Sequence, residues 1–92
     1  MDAKTQAALS RRLASAAGHI KGIQRMVDED EYCIDIIRQI QAVQAALSKV
    51  STLMLDNHLR TCVSTAIRGD DPGERERVLE EVTGVFEMRT KL

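Results

Sequence analysis

Among the side chains of this 92-residue chain, Cys33, His58 and Cys62 are of the kind that holds a soft metal ion. His58 and Cys62 stand four apart in "HLRTC", and positions i and i+4 of an α-helix share one face about one turn apart. An imidazole and a thiol so placed offer two ligands to one metal. Two ligands do not make a site, and in isolation such a pair reads as a partly buried Cys beside a surface His. Cys33 supplies the third donor; its bland alternative is a small hydrophobe at a helix start. Two thiolates and one imidazole suit trigonal Cu(I), whereas Zn(II) would want a fourth ligand such as water or a carboxylate.

The element that carries these residues decides whether they meet. No Pro or Gly occurs between Cys33 and Arg68, so the sequence predicts one continuous helix over about 31–68. At a rise of 1.5 Å per residue, Cys33 and His58 are then about 37 Å apart, and one chain cannot bring both to one ion. The apolar positions Ile36, Ile40, Val43, Leu47, Val50 and Met54 step 4, 3, 4, 3, 4, a heptad seam that asks for a helical partner. If two copies cross antiparallel at Ala46 about a twofold axis, Cys33 of one copy falls opposite position 59 of the other, between His58 and Cys62. Ala42, Ala45 and Ala46 would lie at the closest approach. Two equivalent sites result, each drawing one thiolate from one chain and an imidazole plus a thiolate from the other.

The remaining elements are helical too. Leu9, Leu13, Ala16, Ile20, Ile23 and Val27 repeat the same seam in a first helix over about 4–28, in which Gly18 and Gly22 permit close backbone approach. The run "DEDE" at 28–31 separates the two helices, with Asp30 expected to cap the second. Gly69 reads as a C-terminal cap. "DPGE" at 71–74 then sets an N-cap Asp, a Pro at the first helical position and a Glu at the third. The third helix is expected over about 72–88, with Val78 or Leu79, Val82, and Val85 or Phe86 inward. The expectation is an all-α, three-helix protomer with a long central helix, forming a single domain over 1–92.

Composition agrees with a folded chain: 43% of residues are hydrophobic and 29% charged, with Tyr32 and Phe86 the only aromatics. The net charge of −1 conceals a basic first segment, in which Lys4, Arg11, Arg12, Lys21 and Arg25 face Asp2 alone over residues 1–27. Such a segment is either a solvated face or a contact for phosphates. The first residues hold no apolar signal-peptide run, and no stretch is long enough to span a membrane. Free thiols without a secretory signal point to the reducing cytoplasm. No base–nucleophile pair suggests an enzyme.

Cys33, His58 and Cys62, set in "YC" and "NHLRTC", resemble the copper-sensing operon repressors of the CsoR/RcnR superfamily. The resemblance extends to "GHIKGIQRMV", "QIQAVQAALSKV" and "LEEV" and covers nearly the whole chain. Nickel and cobalt members use further N-terminal histidines, which this N-terminus lacks. Formaldehyde-sensing members lack the second cysteine, and persulfide-sensing members lack the histidine. The resemblance implies an antiparallel four-helix-bundle dimer, assembled as a dimer of dimers, that binds operator DNA without metal and releases it when Cu(I) binds across the dimer interface. It also implies Cys33, His58 and Cys62 as copper ligands, and Tyr32 and Glu81 (or Glu80) as partners of the histidine. Arg12 and, less directly, Lys49 would contact DNA, while His19 would be structural. Two other classes fit the same residues: a metal-storage or delivery protein that ignores DNA, and a thiol-based persulfide sensor that would not need His58.

Overall fold

In the computed structural model, which describes residues 1–91 and side chains through residue 88, the described residues form helices and no strands. In chain order these are α1 (Ala3–Asp28), α2 (Cys33–His58), a π-helical turn (Leu59–Val63), α3 (Ser64–Arg68) and α4 (Pro72–Lys91). None is long and apolar enough to cross a membrane. Two compact units divide the chain at Leu55 and Asp56.

The first unit, residues 1–55, holds α1 and most of α2. Asp2 starts α1: its Oδ1 accepts the Thr5 N–H at 2.7 Å, satisfying one of the unpaired donors of the first turn. That bond holds the Asp2 carboxyl below the usual aspartate range. The cap is therefore complete above the ordinary aspartate pKa and is lost as pH falls through the depressed one. His19 Nε2 lies 2.7 Å from Gln39 Oε1 and ties α1 to α2.

The two heptad seams are each only half used. Leu9 and Ala16 in α1, and Val43 and Val50 in α2, are buried at sevenfold spacing, with Ile23 and Ile36 half-buried in the same registers. The intervening members Leu13, Ile20 and Val27, and Ile40, Leu47 and Met54, are 39–57% exposed. A 4, 3 seam seen by one neighbour buries one of its two registers; the other awaits a second neighbour. Gly18 gains nothing from close approach here, because a Cβ placed on it would meet no atom within 4 Å.

The loop between α1 and α2 corrects the expected role of Asp30. Rather than capping α2, Asp30 ends α1 in the left-handed region, with φ 53°. The N–H groups of Asp30 and Glu31 donate to the carbonyls of Val27 and Met26 at 3.1 and 3.0 Å, the paired bonds of a Schellman ending. Glycine usually fills this place, since a Cβ there is strained. Helix α2 instead starts at Cys33, with the Tyr32 carbonyl accepting from Asp35 and Ile36 at 3.0 and 3.2 Å. Asp30→Gly should accordingly stabilise the fold by about 0.5–1 kcal/mol, strain relief exceeding the extra unfolded-chain entropy. Urea unfolding checks it, and a loss of stability would mean that the Asp30 side chain contributes more than its strain costs.

The second unit, residues 56–92, joins the end of α2 through the π turn and α3 to α4. Val63 and Val78 are buried, Val82 is half-buried, and Leu79, Val85 and Phe86 are exposed. Gly69 is the C-cap of α3, but with φ −74° it uses no left-handed freedom; its N–H bonds the Thr65 carbonyl at 3.0 Å. Asp71 starts α4 as "DPGE" predicts, its Oδ1 accepting from the N–H groups of Gly73 and Glu74 at 3.0 and 3.3 Å.

Candidate metal centre

Cys33 is the first residue of α2 and His58 the last, so the helix that separates them also presents them at its ends. Cys33 and Cys62 are free thiols with exposed side chains, and His58 is half-buried. Among the described residues, no group of three or more His, Cys, Asp or Glu side chains within one chain is placed to hold a metal ion. The donor chemistry nevertheless fits a soft cation, since reachable thiols and an imidazole are the ligands that Cu(I) selects.

Cys62 is not on the regular α-helix that the sequence predicts. It sits in the π turn, where the Ser64 N–H reaches back five residues to the Leu59 carbonyl. A π turn inserts one residue into an α-helix, is found mostly as a single turn, and occurs often at functional sites. One threonine lies within it and one just after it: Thr61 Oγ1 donates to the Asn57 carbonyl at 2.8 Å, and Thr65 Oγ1 to the Thr61 carbonyl at 2.7 Å. Such hydroxyls compete with the backbone ladder and loosen the helix where they bond. The widened turn re-aims Cys62 relative to His58, which an unbroken helix would fix. Thr61 Oγ1 also lies 3.6 Å from Cys62 Sγ, a weaker contact than its carbonyl bond and one that leaves the sulfur lone pairs available. The "TCVST" run, with its i, i+4 threonines, was the available sequence signal for this departure.

The two residues aligned as histidine partners differ in setting. Tyr32 precedes α2 and is 66% exposed. Glu81 is exposed on α4, where Arg77 Nη1 donates to its Oε1. Arg77 is also bound by Glu74: Nε donates to Oε2 at 3.0 Å and Nη2 to Oε1. The alternative carboxylate, Glu80, instead lines a shallow groove of α4 with Glu76, Leu79, Thr83 and Glu87. Arg77 was not singled out from sequence, although its spacing of three from Glu74 and four from Glu81 is that of helical ion pairs. Arg12 on α1 and Lys49 on α2 are both exposed in the first unit.

These features find close counterparts. Residues 5–88 match the family model described as metal-sensitive transcriptional repressor. The copper-sensing transcriptional repressor CsoR of Mycobacterium tuberculosis is 44% identical over 82 residues, covering 89% of this chain and 66% of the relative, so the chain spans 66% of that relative's length. CsoR of Bacillus subtilis is 41% identical over 83 residues, covering 90% of this chain and 79% of the relative. The crystal structure of CsoR with Cu(I) from Geobacillus thermodenitrificans superposes with a TM-score of 0.89 at 36% identity, covering 98% of this chain and 91% of that one. The fold is thus that of small all-helical metal-responsive regulators. This chain belongs to the metal-sensitive transcriptional repressors.

Proposed function

We propose that this protein is a Cu(I)-responsive repressor that holds operator DNA when metal-free and lets it go when Cu(I) binds between two copies of the chain. The observation that carries this reading is the placing of one soft donor at each end of α2, Cys33 and His58, with Cys62 one turn beyond. A second copy laid antiparallel on the exposed register of Ile40, Leu47 and Met54 brings opposite ends of the two helices together. Cys33 of one copy then joins His58 and Cys62 of the other, and the dimer holds two such sites. Burying those side chains supplies the driving force for pairing, and a dimer of dimers doubles the DNA-facing surface.

Bound Cu(I) would draw two thiolates and an imidazole into one trigonal set. His58 has a second ring nitrogen, which can donate a hydrogen bond once the first is engaged. Glu81 and Tyr32 of the partner subunit are the acceptors that this reading assigns. The histidine then couples the end of α2 to α4 and to the start of the partner's α2. A ligand shifts a conformational balance only through contacts that differ between the two states, and this bond is such a contact. The reading places the protein in the cytoplasm, where thiols stay reduced.

DNA contact is assigned to a basic face that includes Arg12, assisted by Lys49, because the described residues form no helix-turn-helix recognition element. Arg12→Ala should weaken operator binding and reduce the salt slope by about one unit, the effect of one lost phosphate contact. Equal affinity and slope in a folded variant would remove Arg12 from that face. The function itself is tested by titrating operator DNA with the reduced protein, with and without one Cu(I) per protomer. Retention that weakens only with Cu(I) supports it; a protein that binds copper and never binds DNA is a carrier instead.

A further inference from the structure

Glu81 already has a partner, and it is not the histidine. The Arg77 guanidinium engages Glu74 side-on through Nε and Nη2, which leaves Nη1 directed at Glu81. Glu74 therefore orients the fork, and its own carboxyl is held below the usual glutamate range by the Arg77 hydrogen bond. All three residues lie within about two turns of α4, and their side chains are 43–55% exposed. An ion pair with that much water access is weak enough to exchange.

We propose that Arg77 is a positioning residue of the switch: it sequesters Glu81 in the DNA-binding state, so that copper-driven release requires Glu81 to leave Arg77 for the His58 imidazole. The inference rests on the reading of Glu81 as the histidine's acceptor. It makes the copper response a competition between two donors for one carboxylate. Arg77 stabilises the state in which His58 is unpartnered, and so opposes both copper binding and DNA release. Both the metal-free protein and its operator complex contain the Arg77–Glu81 pair, and operator affinity without copper does not depend on it. The copper-bound free protein lacks the pair, whereas the copper-bound operator complex retains it. Removing Arg77 therefore penalises only the step that rebinds DNA in the presence of copper. By linkage, copper affinity rises by the same factor.

The experiment compares wild type, Arg77→Gln, Glu81→Gln and the double variant in operator titrations with and without Cu(I), alongside a Cu(I) competition titration. Arg77→Gln is expected to leave metal-free operator affinity unchanged. Copper affinity and copper-induced loss of operator affinity should both rise about two- to fivefold, the range of one exposed ion pair. Arg77→Lys, which keeps the charge but not the fork, should fall between. In the Glu81→Gln background, Arg77→Gln should have no effect. A gain in both quantities is not what structural damage to α4 would produce. Unchanged copper affinity and release in Arg77→Gln, or an effect that persists without Glu81, overturns the proposal while leaving the repressor reading intact. Wild type that keeps its grip on DNA with Cu(I) bound overturns the repressor reading itself.

Discussion

Cys33→Ala is expected to lose Cu(I) affinity by more than about 100-fold, beyond the loss typical of an outer partner of a metal ligand. Thiolates supply most of the affinity for a soft cation, and this substitution would remove one of the two in each proposed site. His58 and Cys62 remain within a turn of each other, but an imidazole and one thiolate are a poor pair for Cu(I). Because the lesion is at the exposed first residue of α2, the fold and operator affinity without metal should be preserved. A competition titration against a colorimetric Cu(I) chelator reads the loss directly. Retained affinity in Cys33→Ala would exclude Cys33 as a ligand.

His58→Ala is expected to separate binding from response. Both thiolates survive, so Cu(I) is still held tightly. The second ring nitrogen is gone, and with it the bond by which the proposed switch would link the end of α2 to Glu81 on α4. Couplings between sites are commonly about 5–150-fold, and in His58→Ala the copper-dependent change in operator affinity should collapse to within about twofold. Glu81→Ala should show the same defect in milder form, since Tyr32 of the partner subunit remains an acceptor. The check is operator affinity with and without Cu(I), measured on protein whose copper loading is confirmed. Release as complete as in wild type would mean that the response travels by another route.

Much of this architecture is legible in the sequence because helices announce themselves by period and punctuation. The 4, 3 spacing of Leu9 to Val27 and of Ile36 to Met54, and the "DPGE" start of α4, mark α1, α2 and α4 in the structure. Four features were not legible, for separate physical reasons. Asp30 resembles an N-cap by residue type, but the chain needs a left-handed residue there to close α1, and backbone geometry overrides side-chain preference. The π turn at Leu59–Val63 contains no Pro or Gly; threonine hydroxyls bonded to the carbonyls four residues back accompany it, a weaker signal. The capture of Glu81 by Arg77 rests on which of several nearby carboxylates a flexible guanidinium selects, and spacing alone does not rank them. Which seam register is buried was likewise open, since the period is the same for both; Val43 and Val50 face inward, while Leu47 faces out.

The central claim is that each copper site is completed by two chains, and mixed dimers test it most directly. A Cys33→Ala chain paired with a His58→Ala/Cys62→Ala chain puts all three lesions into one of the two sites and leaves the other whole. Neither variant alone should bind Cu(I) tightly, because every site in each homodimer is damaged. The heterodimer, isolated by two different affinity tags, should bind one Cu(I) per dimer with wild-type affinity. Heterodimers that form and still bind no copper tightly would contradict a site shared between chains.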